Sequence, residues 1–253
     1  MRIREDYLRI LRFFRFSAAY SKGALDSDGL AACIVLRDGL RQFSAERIGA
    51  EMMKLLRAPR AAEIAAVMRA AGILALVIGD KSDPERLLRL QKIESALGDA
   101  ADPIARLASL AVGAPVDAKP LADRLRLSND AADNLADALN EDAAFTTGAS
   151  ERAARAALYR LGPKSYLRAA RVAWARSGAS EFSDEWRQRA TLPDRWAAPT
   201  KPFSGKDILA LGVAPGPRVG AILERFETWW VEEDFPDDRE RLSAQLAALA
   251  QLD

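Results

Sequence analysis

The 253-residue chain has no histidine and one cysteine. Without histidine it can hold no Ser-His-Asp or Cys-His nucleophile, no His-ligated zinc, no H-E-x-x-H helix and no histidine general base. Cys33 alone excludes a disulfide framework and a C-x-x-C zinc site. Long hydrophobic runs are missing as well. No uncharged apolar stretch reaches about 18 residues, and the start, Met-Arg-Ile-Arg-Glu-Asp, is not followed by the apolar run of a secretory signal. With the lone cysteine, this points to the cytoplasm and away from membranes. β-Branched runs are scarce; the longest, Leu76-Val77-Ile78, is too short to nucleate a sheet. Any chemistry must come from carboxylates, Arg, Lys, hydroxyls or backbone groups, or from another chain.

What is present reads as an ordinary globular protein. Its composition is 49% hydrophobic and 29% charged, with a mean hydropathy of −0.13. The net charge of +1 argues against a generic polyanion binder, but it conceals an uneven distribution. Residues 1–22 carry Arg2, Arg4, Arg9, Arg12, Arg15 and Lys22 against Glu5 and Asp6, a local charge of +4. Residues 229–240 carry Glu232, Glu233, Asp234, Asp237, Asp238 and Glu240 against Arg239.

Ala, Leu and Arg dominate, so an all-α fold is predicted: a multi-helix neck and body with a small helical tail and no sheet. The periodicity predicts helices near 4–21, 26–41, 44–57, 60–71, 84–97, 103–112 and 118–126. Further helices are predicted near 129–140, 150–161, 164–177, 179–190, 204–211, 217–232 and 238–251. Ser44, Ser128 and Ser204 are placed to cap helix N-termini. Pro59, Gly72, Pro84, Gly113-Ala-Pro115, Gly162-Pro163 and Pro199 mark joints. No fixed-period repeat is evident. Pro193, Pro199 and Pro202 make residues 192–203 a stiff extended connector before a smaller C-terminal unit.

The first helix carries the best candidate chemistry. At 3.6 residues per turn, Ile3, Tyr7, Ile10, Leu11, Phe14 and Ala18 line an apolar face. Glu5, Asp6, Arg9, Arg12 and Phe13 project elsewhere, and Phe16 continues that side. Glu5 and Asp6 stand four and three residues before Arg9, so each can brace its side chain. An Asp and an Arg fixed on one helical face can read base edges: Asp accepts from an exocyclic amine, and Arg donates to ring nitrogens or carbonyls. A wrong base leaves a partner unsatisfied. The nearby aromatics can stack on bases. The competing reading is a plain exposed helix whose acid–base pairs contribute about 0.3–0.5 kcal/mol each.

The segment Arg4-Glu-Asp-Tyr-Leu-Arg-Ile-Leu-Arg-Phe-Phe-Arg-Phe16 resembles the E-D-x-x-R helix of class II tRNA nucleotidyltransferases, the CCA-adding enzymes and related bacterial poly(A) polymerases. Two later segments match in order. Phe43-Ser-Ala-Glu-Arg-Ile-Gly-Ala-Glu51 is similar to the family's S-x-E-R-I-x-x-E motif, and residues 203–223 resemble its G-x-D-L…G…P-G-P…G tail segment. The resemblance implies that Asp6 and Arg9 select the incoming CTP or ATP and that Glu5 positions the Arg. It makes Ser44, Glu46, Arg47 and Glu51 supporting positions on a helix that orients the first. Arg2, Arg12 and Arg15 are candidate phosphate or RNA contacts. So are Lys206 and Arg218, which flank a Gly-rich turn into a helix N-terminus.

The resemblance further implies three units: a neck over 1–58, a body over 59–192 and a tRNA-contacting tail over 193–253. Family catalysis belongs to an N-terminal head with G-G-x-x-R-D and D-x-D segments that holds Mg²⁺. This chain has no Gly-Gly pair. Its D-x-D string, Asp26-Ser-Asp28, follows the E-D-x-x-R helix and reads as a helix cap. No catalytic or metal-binding residue is therefore assigned. The expectation is a nucleotide-selecting, tRNA-binding portion that lacks the head and is inactive without one. Mg²⁺ and CTP or ATP would be cofactors of the complete enzyme, with none bound by this chain alone. Partners would be tRNA or another RNA 3′ end, together with a separate head-domain polypeptide. Alternatives are a non-catalytic RNA-binding helical module, a poly(A) polymerase fragment, or a helical scaffold with Trp229-Trp230 on its partner surface.

Overall fold

The computed structural model describes residues 6–111, 118–140 and 143–251. Arg2, Ile3, Arg4, Glu5 and the Gly113-Ala-Pro115 joint lie outside the described residues. Among those described, 15 α-helices follow one another and no strand forms. They are α1 (Leu8–Tyr20), α2 (Ser27–Leu36), α3 (Ala45–Leu56), α4 (Ala61–Ala70), α5 (Ile73–Ile78), α6 (Pro84–Leu97), α7 (Pro103–Leu110) and α8 (Ala118–Leu125). Then come α9 (Asn129–Ala138), α10 (Glu151–Ser177), α11 (Asp184–Ala190), α12 (Leu192–Arg195), α13 (Gly205–Ala210), α14 (Pro217–Glu232) and α15 (Arg239–Gln251). The protein is all-α.

Local chemistry starts many of these helices. Pro84, Pro103 and Pro217 stand at first-turn positions, where a missing N–H costs nothing. Asp83 accepts the Arg86 N–H, and Asp102 accepts from Ile104 and Ala105. Asp26 accepts the Gly29 N–H at 2.7 Å, so the first carboxylate of the D-x-D string is used as a cap. Ser128 accepts from Ala131 as expected. At Ser204 the roles reverse: the Asp207 carboxylate accepts from both its N–H (2.7 Å) and its hydroxyl (2.9 Å). Ser44 occupies the N-cap position of α3 without accepting a helix amide. The split expected at Gly162-Pro163 is a break inside α10, where Gly162 has φ 72° and ψ 165°.

Three expectations need correction. The stiff connector over 192–203 is not extended throughout. Its first residues form α12, and Leu192 is buried among Phe145, Leu158 and Tyr166. The run Leu76-Val77-Ile78 lies in an unforeseen helix, α5, which inserts Ile73, Leu74 and Val77 into the core. The helix expected over 179–190 begins only at Asp184.

Buried side chains form three hydrophobic clusters. The largest joins α1 to the elements through α9, with Val172, Trp174 and Trp186 from α10 and α11. It runs without interruption across the expected neck–body boundary at residue 58, since Leu55, Leu56, Ala58, Ala61 and Ile64 all belong to it. A second cluster fills the space between the two halves of α10 and α12. The third belongs to the tail: Phe203, Ile208, Ile222, Phe226, Trp230, Leu242, Leu246 and Leu249. Trp230 is buried and Trp229 packs partly against this cluster, so both serve the tail core. Tyr159 of α10 reaches into it and donates its hydroxyl to Glu227 at 2.7 Å.

Arginines tie the large core together. Arg106, 6% exposed, donates to Glu94 through Nε and Nη2, and to the carbonyls of Leu56 and Ala58 through Nη1. It thereby satisfies the end of α3 and neutralises a buried carboxylate. Arg124 closes α5 in the same way, donating to the carbonyls of Ala75, Leu76 and Val77. At Gly49, α3 passes so close to α8 that a Cβ would stand 2.1 Å from the Leu125 carbonyl oxygen. Cys33 is buried, which pushes the pKa of its thiol up to about 11.

Candidate functional site

The candidate site is built on α1 and on α3 packed beside it. The apolar stripe of α1 is the one expected from its periodicity: Ile10, Leu11, Phe14 and Ala18 are buried, joined by Leu8 and Ser17. Ser17 hides its polarity by donating to the Phe13 carbonyl at 2.8 Å. Phe13 was expected to project away from the core. Instead it is half-buried, meeting Phe14 edge-on at 5.2 Å and facing Gly29 at the start of α2. Tyr7 packs against Gly39 so closely that a Cβ there would meet its ring at 2.1 Å. This contact pins the chain just before α1.

Asp6 lies ahead of the helix and accepts the Leu8 N–H at 3.1 Å. The sequence suggested Arg9 as its brace. The guanidiniums that stand over its carboxylate belong to Arg12, at 3.9 Å, and to Arg47 of α3, at 3.8 Å. These are ion-pair rather than hydrogen-bond distances, so Asp6 keeps acceptor capacity for a ligand. Arg47 also lies over the Phe43 ring, 4.9 Å from its centroid. Phe43, part of the motif, thus packs under the guanidinium that stands beside Asp6.

A second cross-helix pair sits two turns further along. Arg15 Nε is 2.8 Å from Glu51, a carboxylate only 7% exposed that Lys54 also approaches. Arg15, expected at RNA, is thus also a tie between α1 and α3. Together the pairs Asp6–Arg47 and Arg15–Glu51 join the two motif helices. Glu46 lies on the outer side of α3, 3.8 Å from Arg126. Its own backbone N–H and the Ser44 hydroxyl hold its carboxyl below the usual range.

The tail candidates stand apart from this pair. Lys206 is exposed on α13. Arg218, at the start of α14, donates to the Ala250 carbonyl at 3.0 Å, so it also fastens α14 to α15. Between them Gly212 and Gly216 take positive φ, as the turn requires. Among the described residues no group of three or more His, Cys, Asp or Glu is arranged to hold a metal ion. No helix among them is long and apolar enough to cross a membrane.

Comparison with known proteins points one way. The family described as "Probable RNA and SrmB- binding site of polymerase A" matches residues 24–80. The zebrafish (Danio rerio) protein named CCA tRNA nucleotidyltransferase 1, mitochondrial is 27% identical over 98% of this chain and 57% of its own length. The fold is similar to that of the Bacillus stearothermophilus CCA-adding enzyme in complex with CTP. That similarity has a TM-score of 0.68 and 26% identity, and covers 98% of this chain and 62% of that one. It is also similar in fold to the Thermotoga maritima CCA-adding enzyme complexed with tRNA, with a TM-score of 0.64 at 18% identity. The chain therefore spans little more than half the length of the proteins it matches.

Proposed function

We propose, because this chain belongs to the family of CCA-adding enzymes and bacterial poly(A) polymerases, that it is the nucleotide-selecting and tRNA-binding portion of a tRNA nucleotidyltransferase. The observation that supports this best is the locking of α1 to α3 by Asp6–Arg47 and Arg15–Glu51. A protein template for a base must be held rigidly, since discrimination depends on a wrong base leaving an unpaired donor or acceptor. In this reading Asp6 accepts from the amine of cytosine or adenine and Arg9 donates to the ring edge. Arg47, with Glu5, orients them. Arg2, Arg12, Lys206 and Arg218 contact RNA phosphates.

We assign residues 1–58 to a neck, 59–192 to a body and 193–253 to a tRNA-contacting tail. CTP, ATP and Mg²⁺ belong to the reaction of the complete enzyme. The described residues present no cluster of three or more acidic or cysteine side chains suited to the metal. The 253 residues on their own then bind tRNA without extending it, and addition of C, C and A, or of A alone, needs a head domain. We place the protein in the cytoplasm on the grounds given by its sequence.

Binding of tRNA to the purified chain, measured by fluorescence anisotropy across a salt series, tests the reading. Affinity should fall steeply and log-linearly with salt as phosphate-bound counterions are released. Incubation with tRNA, CTP, ATP and Mg²⁺ should leave the RNA length unchanged. Absent or salt-insensitive binding would remove the RNA role, and detectable addition would mean that catalytic residues have been misplaced.

A further inference from the structure

Base selection does not use the whole exposed side of α1. At about 100° per residue, Arg9, Phe13, Phe16 and Tyr20 fall within about 60° of one another, opposite the buried stripe. Phe13 is taken up by packing, but Phe16 is 48% exposed and Tyr20 75% exposed. Their rings stack, with centroids 6.0 Å apart and planes 28° from parallel. The Arg15 guanidinium lies over the Phe16 ring, 4.1 Å from its centroid. Arg12 flanks the pair one turn earlier and exposed Lys22 follows it, so the rings sit in a basic stretch that carries no acidic residue between Tyr7 and Lys22. Two neighbouring aromatics left in water contribute little to the fold.

Aromatic faces set among cations are what unpaired nucleotides bind: bases stack on the rings while the cations meet the phosphates. Duplex RNA offers no free base faces. We propose that Phe16 and Tyr20 form a stacking platform for the unpaired nucleotides at an RNA 3′ end, an inference that rests on the RNA-binding reading above. The platform is a positioning device. Phe16 lies seven residues, or about 10 Å of helix, beyond Arg9. That is the length of about three stacked nucleotides at 3.4 Å each. A strand lying along α1 would thus be gripped upstream of the end presented to Asp6 and Arg9.

The test compares two stem-loop RNAs, one blunt and one with a four-nucleotide unpaired 3′ extension containing 2-aminopurine. Affinities for the full chain are read by anisotropy, and stacking by quenching of 2-aminopurine fluorescence. The extended RNA should bind about tenfold more tightly than the blunt one. Tyr20→Ala and Phe16→Leu should each remove most of that preference and of the quenching, with blunt-RNA affinity unchanged. Tyr20→Phe should retain both. Tyr20 is exposed enough that its loss should leave the far-UV circular dichroism intact, so this variant decides the matter if Phe16→Leu fails to fold. Equal binding of both RNAs by the unmodified chain would overturn the platform while leaving the RNA role standing. A preference unchanged in both variants would also overturn it and would turn the aromatic pair into a surface for another protein segment. Failure to bind either RNA would remove the RNA-binding reading and the platform together.

Discussion

The large core around α1–α9 is built mainly from Leu, Ile, Ala and Met, and it takes charged groups inside: Glu51, Glu94, Arg106 and Arg168 are all buried. The tail core is small and aromatic, centred on Phe203, Phe226 and Trp230, with Tyr159, Trp229 and Phe235 against it. Its ion pairs Arg155–Asp234, Lys201–Glu227 and Arg241–Glu233 stay at the rim. A core of many helices can surround an arginine with carbonyls and a carboxylate, as Arg106 is surrounded by Leu56, Ala58 and Glu94. A unit of three helices cannot, and it reaches adequate burial by using side chains of large area. The two regions should therefore fail differently.

The sharpest contrast comes from removing an internal charge. Arg106→Ala leaves Glu94 buried without its cation and strips donors from Leu56 and Ala58. It should cost about 3–5 kcal/mol of global stability in urea unfolding. A loss under about 1 kcal/mol would mean that this core does not depend on its buried charges. Trp230→Ala should cost about 3 kcal/mol, but within the tail. Hydrogen exchange should then show protection lost from α14 and α15 and kept in α6 and α7. Uniform loss across both regions would show that the tail is no separate unit of stability.

The smallest effect separates the regions by acid. Asp207 is held below the usual carboxylate range by the Ser204 N–H and then by its hydroxyl. Burial would raise Glu227, but hydrogen bonds from Lys201 and Tyr159 carry it below that range. The native tail thus binds these protons less readily than the unfolded chain. Its share of stability is complete above about pH 4.5 and is lost as pH falls through the native values. In the large core the sign is opposite, because burial pushes Glu94 and Asp99 up despite Arg106 and Arg171. Titration below about pH 4 should loosen α14 before α6, as followed by amide exchange. The reverse order would count against this assignment of signs.

Features with a local cause were legible in the sequence. Pro84 and Pro217 begin helices because of their own ring geometry, and Gly162 breaks α10 because it takes positive φ. The buried stripe of α1 follows from its 3.6-residue period. At the candidate site, the position of Asp6 one turn before Arg9 could be read from spacing alone. Its clamp could not: Arg47 reaches Asp6 across 41 residues of chain, and no period encodes that. Charge was also a poor guide to partners. Arg15 and Arg218 read as phosphate contacts, yet they also hold Glu51 and the Ala250 carbonyl. Leu192 was hidden by its neighbours, since three nearby prolines suggested an open connector where the chain first makes a buried turn of helix.

Gly49 gives α3 a mechanical character. On one side the helix rests backbone to backbone on Leu125 of α8; on the other it holds α1 through Arg47 and Glu51. It therefore works as a shim between α8 and α1, with a thickness set by the absence of one methyl group. Adding that methyl would drive α3 off α8 by about 1 Å, because a packed interior passes displacement on rather than absorbing it. The shift would be delivered to Asp6, the residue proposed to measure the base. The accuracy of that measurement would then depend on a glycine that touches neither nucleotide nor RNA.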